Sequence, residues 1–283
     1  MNEFPRTTVE NLSLSRMIIG TNWFFGWSHT SAAKDKCIKD TLNTTGKIAD
    51  IIEVFLKAGV DTLMGLLEYP GMKDAITEAE NRVGRKVIVV TTPGFNVDDD
   101  TKVLSEAELS IGRNAKLGAA ICMPHCTVTD KLHDHRKRQI IHMDKICAMI
   151  RQHGMIPGLS THVPESVVYA DETGLDVGTY IQIYNAAGFL MHIEVDWVHK
   201  IIWNAKHPVM TIKPMAAGRL LPLVGLGFAW GTLRDQDMVT VGTMTPDEAR
   251  ELIDISLSCL EHRKSNVELQ RTRSKDSVSP RKT

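Results

Sequence analysis

KVIVVTT, residues 86–92, is an unbroken apolar run rich in β-branched side chains, with Arg85 before it and Pro93-Gly94 after it. Such a run reads as a strand buried on both faces, because a strand with one wet face would alternate. Outward from it, residues 72–83 and 103–113 read as helices and residues 117–123 as the next strand. A doubly buried strand set between helices belongs to a parallel sheet whose faces the helices cover.

The alternation continues in both directions. Toward the N-terminus lie a strand at 14–21, a helix at 48–57 and a strand at 60–66. The helix carries Ile48, Ile51, Ile52, Phe55 and Leu56 at helical spacing and stops at Gly59. Toward the C-terminus follow a long helix at 134–153, a strand at 155–161 and a short helix at 165–172. Strands at 179–184, 209–212 and 238–241 then alternate with helices at 193–204, 222–230 and 246–260. Eight strand–helix units in roughly 250 residues fit an α/β fold of the (β/α)₈ TIM-barrel type. A doubly wound open sheet is the alternative, but it more often has a glycine-rich first turn. The first turn here is GTNWFFGW. The expected organisation is one barrel domain over residues 1–261. A basic tail over 262–283 is too poor in apolar residues to pack and is expected to be disordered.

The 283 residues carry a formal net charge of −1, so no global field marks nucleic acid or an anionic membrane as partner. The five cysteines, at 37, 122, 126, 147 and 259, are odd in number and scattered, which argues for a reducing compartment over a disulfide framework. No apolar run approaches the roughly 20 residues that span a bilayer. The opening MNEFPRTTVENLSLSR lacks the basic-then-apolar pattern of a signal peptide. These features predict a cytoplasmic protein with a small-molecule substrate.

In a barrel of this type the active site forms at the C-terminal ends of the strands. That rule selects Asn22, Trp23, Phe25, Trp27 and His29 after the first strand, and Glu68 and Tyr69 after the second. Thr92 and Pro93 follow the third, His125 and Cys126 the fourth, and His162 the fifth. Tyr184 and Asn185 follow the sixth, Lys213 and Arg219 the seventh, and Thr243 the eighth. Trp23 and Trp27 form an apolar platform for a sugar ring or other flat ligand if they face the pocket; otherwise they pack the barrel end. His162, Tyr184 and Asn185 are the candidate polar contacts to substrate. Thr245-Pro246-Asp247-Glu248 is a capping-box pattern with proline at the first helical position, so a helix N-terminus follows the last strand directly. Its free N–H groups suit an anion, with Arg219 as a charged clamp. An ordinary capped helix and a surface arginine explain the same residues.

Taken in order, the strand ends resemble those of the aldo-keto reductases. IIGTNWFFG is similar to that family's opening strand, Asp61-Thr62 after AGV to its second, and MPHC to its fourth. GLSTH, IQIYN, KPMAAGRL and TVGTMTPDEARE are similar to the fifth to eighth strand ends, so the resemblance covers about residues 14–260. It implies reduction of a small carbonyl or sugar-like substrate by NADP(H). Asp61, Tyr69 and His125 would match the family's catalytic aspartate, tyrosine and histidine, the tyrosine donating the proton and the histidine orienting the carbonyl. Lys213, Gly218, Arg219, Thr243, Thr245 and Glu248 would frame the cofactor. Two positions depart from the pattern: Asp61 and Tyr69 stand further apart, and VVTTPG places Thr92 or Pro93 where the family has a lysine. That lysine matters because a nearby cation makes a tyrosine, with a reference pKa of about 10, an effective acid near neutral pH. Lys213 can supply a cation, but from the far side of the barrel.

Two other functions remain open on the residues alone. His125, His162 and Glu68 end neighbouring or nearby strands and form a two-imidazole, one-carboxylate set for a divalent metal in an isomerase, lyase or hydrolase. The fold can also serve a non-catalytic binding protein. Within CMPHCTVTDKLHDH, Cys122 reads as a buried strand residue, and His133 and His135 as solvated groups entering the next helix. The Cys-x₃-Cys spacing matches no common structural zinc pattern.

Overall fold

A computed structural model describes residues 3–270 and 272–276. The chain opens with an antiparallel hairpin, β1 (Arg6–Val9) and β2 (Leu12–Ser15). Eight parallel strands follow: β3 (Met17–Gly20), β4 (Thr62–Gly65), β5 (Ile88–Thr91), β6 (Ile121–Cys122), β9 (Ile156–Ser160), β10 (Thr179–Ile183), β11 (Val209–Ile212) and β12 (Met238–Val241). They lie side by side in chain order, and β12 pairs with β3 to close the barrel. A second small hairpin, β7 (His133–Asp134) with β8 (Gln139–Ile140), stands outside it. The closed (β/α)₈ barrel is the fold the alternation predicts.

The helices are α1 (Ala32–Thr41), α2 (Thr45–Lys57), α3 (Met72–Val83), α4 (Val103–Lys116), α5 (Cys126–Thr129), α6 (Met143–Gln152), α7 (Glu165–Thr173), α8 (Val195–Asn204), α9 (Pro222–Thr232), α10 (Pro246–Leu260) and α11 (Arg273–Asp276), with a 3₁₀ turn at Ala216–Gly218. No helix among the described residues is long and apolar enough to cross a membrane. Two apolar layers hold the fold. Ile18, Met64, Val90, Ile121, Ile156, Ile181, Met210 and Met238 fill the barrel, and Val9 and Leu14 of the first hairpin close its lower end. The opposite faces of the strands pack against the helices, with Ile51, Ile52, Phe55, Ile76, Ile111, Ile146 and Ile202 in that outer layer. Filling the lower barrel this way leaves the strands' C-terminal ends as the open face.

Three local expectations need correction. The strand expected at 14–21 is two strands, because the chain turns back from β2 before β3 enters the barrel. The helix expected at 134–153 begins at Met143. The Asp134 carboxylate accepts the N–H groups of Arg136 and Lys137, and Arg138 and His142 have φ of 51° and 63°, so a turn replaces the first helical residues. Helix α1 lay unread because only Ile38 of its residues is buried, which leaves no apolar stripe.

The beginning of the expected tail is tied back to α10. Arg263 pairs with Asp254, Ser265 Oγ and Asn266 N donate to Asp254 Oδ2, and Val267 packs against the outer layer. Residues 271 and 277–283 of that tail lie outside the described residues.

Candidate active site

A cavity of about 240 Å³ opens at the C-terminal ends of the barrel strands. Its upper wall carries Trp23 and His29 after β3, Thr92 after β5, His125 and Cys126 after β6, His162 after β9 and Lys213 after β11. Gly218 and Gly242 complete the rim. Among the described residues, no Asp or Glu lines it.

Strand ends place these groups, and short local structures orient them. His125 caps the one-turn helix α5, and its Nδ1 accepts the backbone N–H of Thr127 at 3.3 Å. A backbone N–H only donates, so a neutral ring carries its proton on Nε2. Burial lowers the His125 pKa; nearby Asp130 opposes that shift and Lys213 adds to it. His162 follows the same logic further. Burial first, then the charges of Lys213 and neighbouring histidines, lower it from 6.5 to about 4. The imidazole is neutral at pH 7, and its ring makes no hydrogen bond among the described residues. Cys126, buried beside Asp130, is pushed up to about 11 and is a thiol, not a nucleophilic thiolate, at neutral pH.

Lys213 is the centre of this wall. It sits just past β11 with φ of 62°, a left-handed conformation that a non-glycine residue rarely adopts. Its charge is felt by His29, His125, His162 and Cys126. Burial lowers its own pKa, and its ammonium has no hydrogen-bond or ion-pair partner among the described residues.

Several residues singled out by sequence stand elsewhere. Asp61 precedes β4, at the barrel's closed end, where its carboxylate accepts from Arg6 Nη1 of the first hairpin at 2.8 Å. The second-strand residues that reach the cavity are Met64 and Gly65. Tyr69 is 37% exposed on the outer rim, its ring stacked on Phe25 at 3.9 Å and edge-on to Trp27. The expected Asp61–Tyr69 pair is therefore not formed, because β4 itself separates the two. Trp27 is 39% exposed and belongs to the same stack, whereas Trp23 lines the cavity.

Tyr184 is buried beneath the helices, its hydroxyl donating to Thr232 Oγ1 at 3.0 Å. Asn185 is consumed by its own loop, exchanging hydrogen bonds with both backbone groups of Phe189. Neither lines the cavity. Glu68 accepts from Arg113 and Asn114 on α4, so the Glu68–His125–His162 metal set does not assemble.

At the proposed cofactor end, Gly218 lines the rim and Arg219 lies over the Phe189 ring at 4.0 Å, without a carboxylate partner among the described residues. The capping box forms: Glu248 N donates to Thr245 Oγ1 and Met244 N to Glu248 Oε2. Thr243 Oγ1 is buried nearby and lacks a partner among the described residues. His133 and His135 touch one another at the outer hairpin, where His133 Nδ1 also bonds Ser166 Oγ of α7, away from the cavity.

Sequence reasoning passed over Asp130. Its N–H bonds the Cys126 carbonyl one helical turn back, and its carboxylate accepts from Thr161 Oγ1 at 2.6 Å and from His162 N. The Cys-x₃-Asp spacing around α5 was the available signal. One donor atom from each of Cys126, Asp130 and His162 falls within 4.8 Å of the others.

No protein-family profile and no curated protein matches the chain. Solved structures do. A candidate aldo-keto reductase from Pseudomonas aeruginosa superposes with a TM-score of 0.65 at 15% identity, over 90% of this chain and 94% of that one. A candidate 2,5-diketo-D-gluconic acid reductase B gives 0.58 at 13% identity, over 95% of both chains. An aldo/keto reductase from Klebsiella pneumoniae, solved with NADP and acetate, gives 0.51 at 15% identity, over 94% and 92%. At these identities the likeness establishes a shared fold: this chain has the barrel of the aldo-keto reductases.

Proposed function

We propose that this protein is an NADP(H)-linked oxidoreductase of the aldo-keto-reductase type that acts on a small carbonyl compound. The observation that carries the reading is the cavity at the open end of that barrel, where His125 presents a neutral imidazole N–H beside the unpaired ammonium of Lys213. The donor set fits an anionic dinucleotide. Lys34, Lys213 and Arg219 stand in or around the mouth, and none has a carboxylate partner among the described residues. The cavity, at about 240 Å³, suits a nicotinamide-sized head and a small substrate, which leaves the phosphates to the rim at Gly218, Arg219, Thr243 and the capped start of α10.

When bound, the cofactor supplies or accepts a hydride. The chain's own residues do the rest. His125 holds Nδ1 against the Thr127 N–H and directs Nε2–H to the carbonyl oxygen, so a neutral imidazole polarises the carbonyl as an electrophile, and the proton that the product alcohol gains comes from solvent. This replaces the tyrosine of the family pattern, since Tyr69 belongs to the rim stack. Trp23 gives the pocket an apolar wall. NADPH titration, followed by tryptophan fluorescence, tests the reading. Saturable quenching weakened by Arg219→Ala supports it; no binding at millimolar cofactor removes it.

A second reading rests on the Cys126, Asp130 and His162 cluster, a thiol, carboxylate and imidazole set chemically suited to zinc. Lys213 opposes it, because an unpaired ammonium beside the cluster repels a divalent cation. Cobalt(II) titration discriminates. A thiolate-to-metal absorption band lost in Cys126→Ser favours the metal enzyme, and its absence rules the cluster out.

A further inference from the structure

We propose that Lys213 is the anchor for an anionic group on the substrate itself, so that the pocket selects carbonyl compounds carrying a carboxylate. The inference rests on the oxidoreductase reading for the reaction, and on the cavity lining for the selectivity.

One ammonium, Lys213, and three imidazoles, His29, His125 and His162, stand at the heart of the pocket. None of the lining residues is acidic. The carboxylates behind the wall are already engaged: Asp130 by Thr161 Oγ1 and His162 N, and Asp35 by Ser28 N and Oγ. Elsewhere the molecule pairs its cations freely. Arg82 meets Asp50, Glu53 and Glu78, and Arg151 meets Glu10 and Asp176. A half-buried ammonium without a counter-charge is unfavourable unless a ligand provides one. The left-handed backbone at Lys213 adds a conformational cost, so the chain holds this lysine in place against two penalties.

Depth separates the substrate's anion from the cofactor's. Arg219 and Lys34 stand at the mouth, where Lys34 Nζ lies over the Trp23 ring at 5.2 Å. Lys213 lies inward, within electrostatic reach of His125, the group that orients the carbonyl. A cavity of about 240 Å³ leaves room for a short chain between the two. The substrate class is a small oxo-acid or aldehyde-acid, with its carboxylate on Lys213 and its carbonyl oxygen on His125 Nε2.

The test is calorimetric titration of the full chain with malonate and with glyoxylate, alone and with saturating NADPH, beside steady-state reduction of succinic semialdehyde and its methyl ester. The expected result is carboxylate binding that persists with NADPH, with kcat/KM about tenfold to a hundredfold higher for the acid than the ester. Lys213→Met should abolish both the binding and the preference, and Lys213→Arg should retain part of each. Equal turnover of acid and ester overturns the inference while leaving the oxidoreductase reading intact. Displacement of malonate by NADPH also overturns it, by assigning Lys213 to the cofactor. Malonate binding that depends on Lys213, with no turnover of any carbonyl, keeps the anion site and removes the oxidoreductase reading instead.

Discussion

The two sides of the barrel mouth differ in kind. On the β3–β4 side, Tyr69 stacks on Phe25 and Trp27 meets both rings edge-on, and Asp61 is locked to Arg6 at the opposite end of the barrel. On the β6–β11 side, His125, Cys126, His162 and Lys213 converge on one cavity, and Lys213 has no partner among the described residues. The first side holds the residue types that resemble a catalytic pair, and the second holds the groups whose surroundings change their chemistry. The contrast teaches that position along a strand decides function more than residue identity. An aspartate before a strand braces the floor, whereas a histidine just after one faces the ligand.

Substitutions on the β3–β4 side should act first through stability, and those at Asp61, away from the cavity, should spare the chemistry. Gly65→Ala comes first. A Cβ there would meet Thr21 Oγ1 at 1.7 Å, and the glycine has φ of 153°. The expected loss is at least about 3 kcal/mol, read as a lowered urea midpoint. Asp61→Asn should cost about 1 kcal/mol by removing the carboxylate from Arg6, which keeps Ser13 Oγ and Ser13 O, with the kcat of the folded fraction unchanged. A fall in kcat at full folding would return Asp61 to the reaction and break the contrast.

The other side should show itself through pH. The His162 pKa lies at about 4 in the folded protein against an ordinary 6.5, so between these values the unfolded chain binds a proton that the folded one refuses. Stability is therefore highest above pH 6.5 and falls as pH drops toward 4, by about 2 kcal/mol after allowance for solvent screening. His162→Gln should flatten that segment of the stability–pH curve; an unchanged slope would place the acid sensitivity elsewhere. Of the same small size as Asp61→Asn is Thr245→Ala, which removes the acceptor of Glu248 N and should cost about 1 kcal/mol in thermal unfolding.

Much of the architecture was readable in local pattern. The bounds expected for α3, β11, β12 and α10 coincide with those observed, because glycine, proline or a capping threonine marks an end of each helix and both strands are short apolar runs. What escaped notice had no such mark: α1 buries one residue, and the β1–β2 and β7–β8 hairpins depend on turns built by side chains or by positive φ at non-glycine residues such as Glu10. At the site, the strand-end rule placed His125, His162, Lys213 and Trp23 on the list, and they line the cavity. It also admitted Tyr69, Tyr184, Asn185 and Glu68, whose side chains turn to aromatic, backbone or α4 partners that sequence spacing does not reveal. Asp130 stayed hidden because its relation to His162 is made in space, across 32 residues of chain.

The most direct test of the contrast is NADPH-dependent carbonyl reduction by two single variants, Tyr69→Phe and His125→Ala, measured beside the unaltered protein. If the chemistry lies on the β6–β11 side, Tyr69→Phe stays within about threefold of the unaltered rate, and His125→Ala falls about a hundredfold or more. The reverse order, with Tyr69→Phe nearly inactive and His125→Ala nearly normal, would contradict it and return catalysis to the aromatic rim.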